Sequence, residues 1–278
     1  MRKFLLLLSL NALIIILSGS FVLAATTNYP FPMKNNGYTP PYGIYATSVS
    51  TSSIQNAYNT WKGTYVTTNG AGGYQRVQSP EAVNGYSNCT VSEGMGYGML
   101  LAVYFGDETL FDNLWKYAAL HSTGGTEVGM LPWIIDSSGN PQDVNSASDG
   151  DFDMAAALIM AHYQWGDGNG LNYTNLATTL VGLCRSYDLN SNGSVKPGNG
   201  WDDYTFPSYF MPAWFKVFAA FDSAHSATWN TAVTENNSFL VNATSASFDK
   251  LPGEICNATT GAPMSNNPCV GSSGCPGN

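Results

Sequence analysis

One segment limits the folds open to this chain more than any other: "FDMAAALIMAHYQW", residues 152–165. Its apolar residues fall on nearly every face of a helix, so a helix here must be enclosed on several sides. Enclosure of that kind requires layers, such as an inner ring of helices inside an outer ring. Helical periodicity also appears at 53–65, 93–105, 108–121, 173–187, 207–221 and 227–242. The connections are rich in Gly, Asn, Ser and Asp, several are long, and no extended alternating strand pattern competes. The class is therefore all-α with elaborate loops, and long loops in a compact domain often carry function. His162, on the enclosed helix, reads as a hydrogen-bonded core histidine.

Three acids, Asp149, Asp151 and Asp153, crowd the head of that helix. Capping needs only one. Another is expected to face a cavity, where burial and neighbouring carboxylates shift its pKa. Calcium is a poor fit. An EF-hand loop needs Gly at its sixth place and Glu at its twelfth; counted from Asp149, these places hold Met154 and Met160. The stretch "DLNSNGSVKPGN" from Asp188 has Gly193 in place but ends in Asn199, and reads as a turn.

A second helix opens on an acid in "TVSEGMGYGMLLAVYFG", 90–106. Ser92 or Thr90 is the expected N-cap, which puts Glu93 in the first turn, where the macrodipole favours a carboxylate. That does not account for Gly94, Gly96 and Gly98, each of which weakens a helix by about 1 kcal/mol relative to Ala. Glycine tolerates close approach. The three are expected to face something packed tightly against this turn, with a sugar chain as the candidate.

Composition narrows the partner. Charged residues are 10%, aromatics 13%, and the net charge is −9. Nucleic acid and anionic membranes are poor partners on that balance, and a neutral polyhydroxylated ligand suits it. Arg2 and Lys3 precede an apolar run over 4–17, followed by small residues up to Ala24. This is the pattern of a secretory signal peptide over 1–24, so a secreted chain with no membrane association after cleavage is expected. Residues 26–50 read as an extended arm. Of five cysteines, Cys184 reads as a buried thiol, while Cys256, Cys269 and Cys275 crowd the C-terminal end, where an exported chain could form a disulfide.

Two carboxylates on different helix heads, Glu93 and Asp149, are the minimum for glycoside hydrolysis. A carboxyl that donates a proton must hold it near neutral pH, whereas a helix N-terminus favours the charged form. Burial under sugar and the neighbouring Asp149 would oppose that. Trp133, Trp201 and Tyr209 are the candidate stacking and hydrogen-bonding platform. No G-x-S-x-G, H-E-x-x-H or phosphate loop occurs. No metal and no organic cofactor is implied.

At these residues the sequence resembles glycoside hydrolase family 8, once called cellulase family D. "VSEGMGYGMLLAV" is similar to the segment carrying that family's proton donor, and "ASDGDFDMAAALIMAHYQW" is similar to its signature. "LPWIID" and "PSYFMPAWFKVFA" follow the family's order. The resemblance implies an (α/α)₆ barrel, with about seven of twelve helices present, over a catalytic domain spanning 25–278. It implies endo-acting, inverting hydrolysis of β-1,4-glucans, or of lichenin, xylan or chitosan, by a monomer. It assigns proton donation to Glu93. Asp149 becomes nucleophile or base, or the residue that holds the distorted sugar. The cellulase-like branch places its base in a later motif, Y-D-A-x-R-x-P-W-R, which this chain lacks, so a C-terminally partial domain is expected. The rival reading is a non-catalytic secreted sugar-binding protein using the same aromatics.

Overall fold

Helices account for most of the ordered chain in a computed structural model that describes residues 50–122, 129–167, 170–245 and 255–264. The expected leader, nearly all of the N-terminal arm, Cys269 and Cys275 lie outside the described residues. Seven α-helices occur among those described: α1 (Thr51–Tyr65), α2 (Ser92–Phe105), α3 (Glu108–Ser122), α4 (Ser148–Trp165), α5 (Tyr173–Tyr187), α6 (Pro212–Phe221) and α7 (Ser226–Ser245). Three two-residue antiparallel ladders tie the loops together: β1 (Val66–Thr67) with β2 (Arg76–Val77), β3 (Thr90–Val91) with β4 (Ile134–Ile135), and β5 (Tyr204–Thr205) with β6 (Cys256–Asn257).

The helices alternate between two layers. α4 lies innermost: 15 of its 18 residues are buried, and it packs against α2, α5 and α6. α3 backs α2, and α7 backs α6. This is an arc of an (α/α)₆ barrel, with α2, α4 and α6 in the inner row. His162, on α4, is half-buried rather than in the core, and its Nδ1 bonds the Thr174 hydroxyl at 2.7 Å. Cys184 is a fully buried thiol on α5, and the stretch from Asp188 does turn back, with Leu189 bridging Val195.

Several local expectations are corrected. The segment 207–221 is not one helix. A short 3₁₀ turn, Pro207–Tyr209, precedes α6, which starts at Pro212. Proline lacks the amide a helix interior needs and fits instead at the first helical position. Neither Ser92 nor Thr90 caps α2; its N-cap is Val91, without a side-chain bond. No acid caps α4, whose N-cap is Ala147. Both heads are anchored by loops instead. The Ser92 amide donates to Trp133 O at 3.0 Å, and the Ser148 amide donates to Pro197 O at 3.1 Å. The second anchor lets α4 begin four residues before the enclosed segment, so all three acids lie inside the helix.

Gly96 and Gly98 of α2 face protein rather than a ligand, whereas Gly94 lines a cavity beside Glu93. A Cβ on Gly96 would sit 2.7 Å from Asp153 Cβ and 3.2 Å from Gly150 O of α4. One on Gly98 would meet Val77 Cγ2 at 2.6 Å. Reciprocally, a Cβ on Gly150 would meet the Ser92 carbonyl carbon at 2.5 Å. The backbones of α2 and α4 touch at their heads because no side chain keeps them apart.

Gly96→Ala is therefore expected to cost about 1–3 kcal/mol through overpacking, despite alanine's better helix propensity. Gly94→Ala, whose Cβ would meet Val91 Cγ2 at an ordinary 3.6 Å, is expected to be neutral or to stabilise by up to about 1 kcal/mol. Urea unfolding of both variants checks this, and a Gly96→Ala as stable as the parent contradicts it.

Candidate active site

The contact between helix heads puts two carboxyl groups in one place. Glu93 follows Ser92 in α2, and Asp149 precedes Gly150 in α4. Both line one cleft of about 390 Å³, together with Trp133, Tyr209 and the loop from Ser79 to Val83. A second cavity of about 430 Å³, lined by Trp61, Tyr65 and Tyr97 among others, shares Glu93 and the same loop. Glu93 thus stands where two openings meet.

The loop forming the wall is fixed by Arg76. Its buried guanidinium donates from Nη1 to Asn88 O and to Thr90 Oγ1, each at 2.9 Å, and from Nε to Asn69 O at 2.7 Å. Ser79 N–H donates to Cys89 O at 2.7 Å, closing the loop on itself. On the other side, β4 leads to Trp133, whose amide donates to Asn145 O at 2.9 Å. Trp133 is buried, and its indole N–H has no partner among the described residues.

The two carboxyls live in different surroundings. Glu93 is exposed, and its Oε1 accepts a hydrogen bond from the Tyr97 hydroxyl at 2.8 Å. Asp149 is 6% exposed. Burial first, then the negative charges of Glu93 and Asp153, push its pKa up to about 7, against the pull of the Gly150 amide. Asp153, one turn along the same face, is raised to about 6, by burial first and then by Glu93. Its Oδ1 accepts from Trp214 Nε1 at 2.7 Å, which opposes the rise. Burial, followed by the charges of Asp149 and Glu93, also raises the Tyr209 phenol.

Four of the five residues singled out in the sequence meet here: Glu93, Asp149, Trp133 and Tyr209. Trp201 lines neither cavity; it packs against the cluster of Tyr204, Phe206 and Ile255. Tyr97 and Trp214 were not singled out. Tyr97 carried a signal, since it stands four residues after Glu93 and so shares its helix face. Trp214 carried none, because its contact with Asp153 spans 61 residues. Among the described residues, no group of three His, Cys, Asp or Glu comes together as a metal site.

Two carboxyls facing one cleft are the minimum that glycoside hydrolysis requires. Residues 31–267 match the sequence profile of glycosyl hydrolases family 8, and the chain belongs to that family. Endoglucanase 2 of Ruminiclostridium josui is 39% identical over 217 residues, covering 74% of this chain and 45% of the relative. Endoglucanase A of Acetivibrio thermocellus is 38% identical over 237 residues, covering 78% and 46%. The chain thus spans about half the length of these relatives. The apo structure of a β-1,3-1,4-glucanase from Paenibacillus sp. X4 superimposes with a TM-score of 0.71 at 27% identity, covering 83% of this chain and 63% of that one.

Asp149 is expected to titrate near neutral pH, and Glu93→Gln is expected to lower its pKa by removing a negative neighbour. Carboxyl-carbon NMR of aspartate-labelled protein reads this directly. An Asp149 titration unmoved by the substitution would show that the two groups do not share one cleft.

Proposed function

We propose that this chain carries the cleft of a secreted, endo-acting hydrolase of β-1,4-glucans that works with inversion. The observation that supports this reading best is that Glu93 and Asp149 line the same aromatic-walled cavity. In the proposed reaction Glu93, reachable from solvent and oriented by Tyr97, protonates the glycosidic oxygen as the bond breaks. A carboxylate on the opposite face takes a proton from water, which attacks the anomeric carbon from that side. Asp149 is the residue proposed for the second carboxyl. A pKa of about 7 suits a base operating near neutrality, since that value keeps it half ionised while still basic.

The alternative duty proposed for Asp149 is to grip the ring at the cleavage point, with the base supplied by another carboxylate. Trp133 and Tyr209 supply the platform in either case. The indole N–H of Trp133 is buried and has no partner among the described residues. The partner proposed is a neutral β-glucan, with lichenin, xylan and chitosan as competing substrates, and the working unit is a monomer. Export rests on the N-terminal leader pattern. No helix among the described residues is long and apolar enough to cross a membrane.

Glu93→Gln, made in a version extended to the length of the relatives, is expected to lose at least ~10³-fold of its activity on carboxymethylcellulose. Binding of cello-oligosaccharides should persist. A reducing-sugar assay beside a calorimetric titration measures both, and retained hydrolysis would refute the role given to Glu93. If the unmodified extended protein binds but never hydrolyses, the non-catalytic sugar-binding reading takes its place.

A further inference from the structure

Behind the cleft lies a pair of acids that the proposed reaction does not use. Asp151 sits in the first turn of α4, two residues after Asp149 and so on roughly the opposite face of the helix. Asp188 ends α5, its amide donating to Cys184 O at 2.9 Å. Both side chains are 0% exposed. None of their four carboxyl oxygens meets the geometry of a hydrogen bond, although the Ser146 hydroxyl stands beside Asp151 and the Cys184 thiol beside Asp188. Few polar groups are left in that condition in a folded protein, and two carboxylates stripped of water would strongly oppose folding.

We propose that Asp151 and Asp188 share a proton and so clasp the head of α4 to the end of α5. A carboxylic acid is a donor and a carboxylate an acceptor. Each group therefore supplies what the other lacks once a proton lies between them. The surroundings fit. Burial, then the charge of Asp188, holds Asp151 well above the usual carboxylate range, and burial does the same to Asp188. The groups facing them are Asp149 on α4, Ser146 before it, Cys184 on α5 and Lys196 beyond the turn. Lys196 is the cation among them, and its ammonium is engaged by Asp202 at 2.6 Å. The neighbouring backbone is anchored too: the Ser148 hydroxyl donates to Lys196 O at 2.5 Å, and the Lys196 amide donates to Asp188 O at 2.8 Å.

This clasp does not depend on hydrolysis, so its test is separate from that of the proposed function. Infrared spectroscopy of the unmodified protein at about pH 8.5, above the ranges of Asp149 and Asp153, should retain a protonated-carboxyl band. Loss of Tm between about pH 5 and about pH 8.5 is then compared with that of the Asp151→Asn, Asp188→Asn double variant. An acid whose pKa is higher folded than unfolded loses its stabilising effect as pH rises through the folded value. The unmodified protein should therefore lose on the order of 5 °C more than the double variant, whose amides cannot ionise. A missing band, or equal losses, overturns the proposal. So does a Tm that rises with added calcium chloride only in the unmodified protein, since a cation would then fill the pair. If the double variant does not fold, the infrared band of the unmodified protein decides.

Discussion

The contact of α2 with α4 at their heads fixes the rest of the molecule. It exists because Gly96 and Gly150 leave no side chain between the two backbones. At that spacing Ser92 and Gly150 touch, and the residues beside them, Glu93 and Asp149, are carried to one cleft. The same contact presses Asp153 against Gly96 and helps enclose α4 on several sides. Helix propensity given up at two glycines is offset by packing that no larger residue would permit.

Enclosure has an electrostatic consequence. Four acids, Asp149, Asp151, Asp153 and Asp188, are carried out of water around one helix head. Burial raises each of them, and repulsion within the cluster adds to the rise at Asp149, Asp151 and Asp188. Glu93 stands exposed at the rim, where its partner is the Tyr97 hydroxyl. The cleft therefore pairs a buried carboxyl with an exposed one, and two environments are what distinct roles in acid–base chemistry require.

Much of this was legible in the sequence because it rests on local pattern. An apolar run on every face dictated a central helix, and α4 is that helix. The three acids at its head stood out because they exceed what capping needs, and Glu93 because three glycines follow it. Legibility failed where the cause lay far along the chain. The glycines announced a close neighbour, yet nothing local said whether it was helix or ligand. The heads of α2 and α4 are held by Trp133 O and Pro197 O rather than by capping side chains, so cap rules misplaced the start of α4. Pro212 did carry a local signal, its missing amide, which helical periodicity over 207–221 concealed. Trp201 looked like Trp133 in composition, and only packing sent it to a different cluster.

The account turns on a glucan chain lying across Glu93 and Asp149. A crystal structure of the Glu93→Gln variant with a bound cello-oligosaccharide tests this most directly. The account requires sugar density along the cleft, with a glycosidic oxygen within hydrogen-bond reach of position 93, Asp149 on the ring beside it, and Trp133 or Tyr209 in contact. Sugar bound elsewhere on the molecule, with this cleft empty, would contradict it.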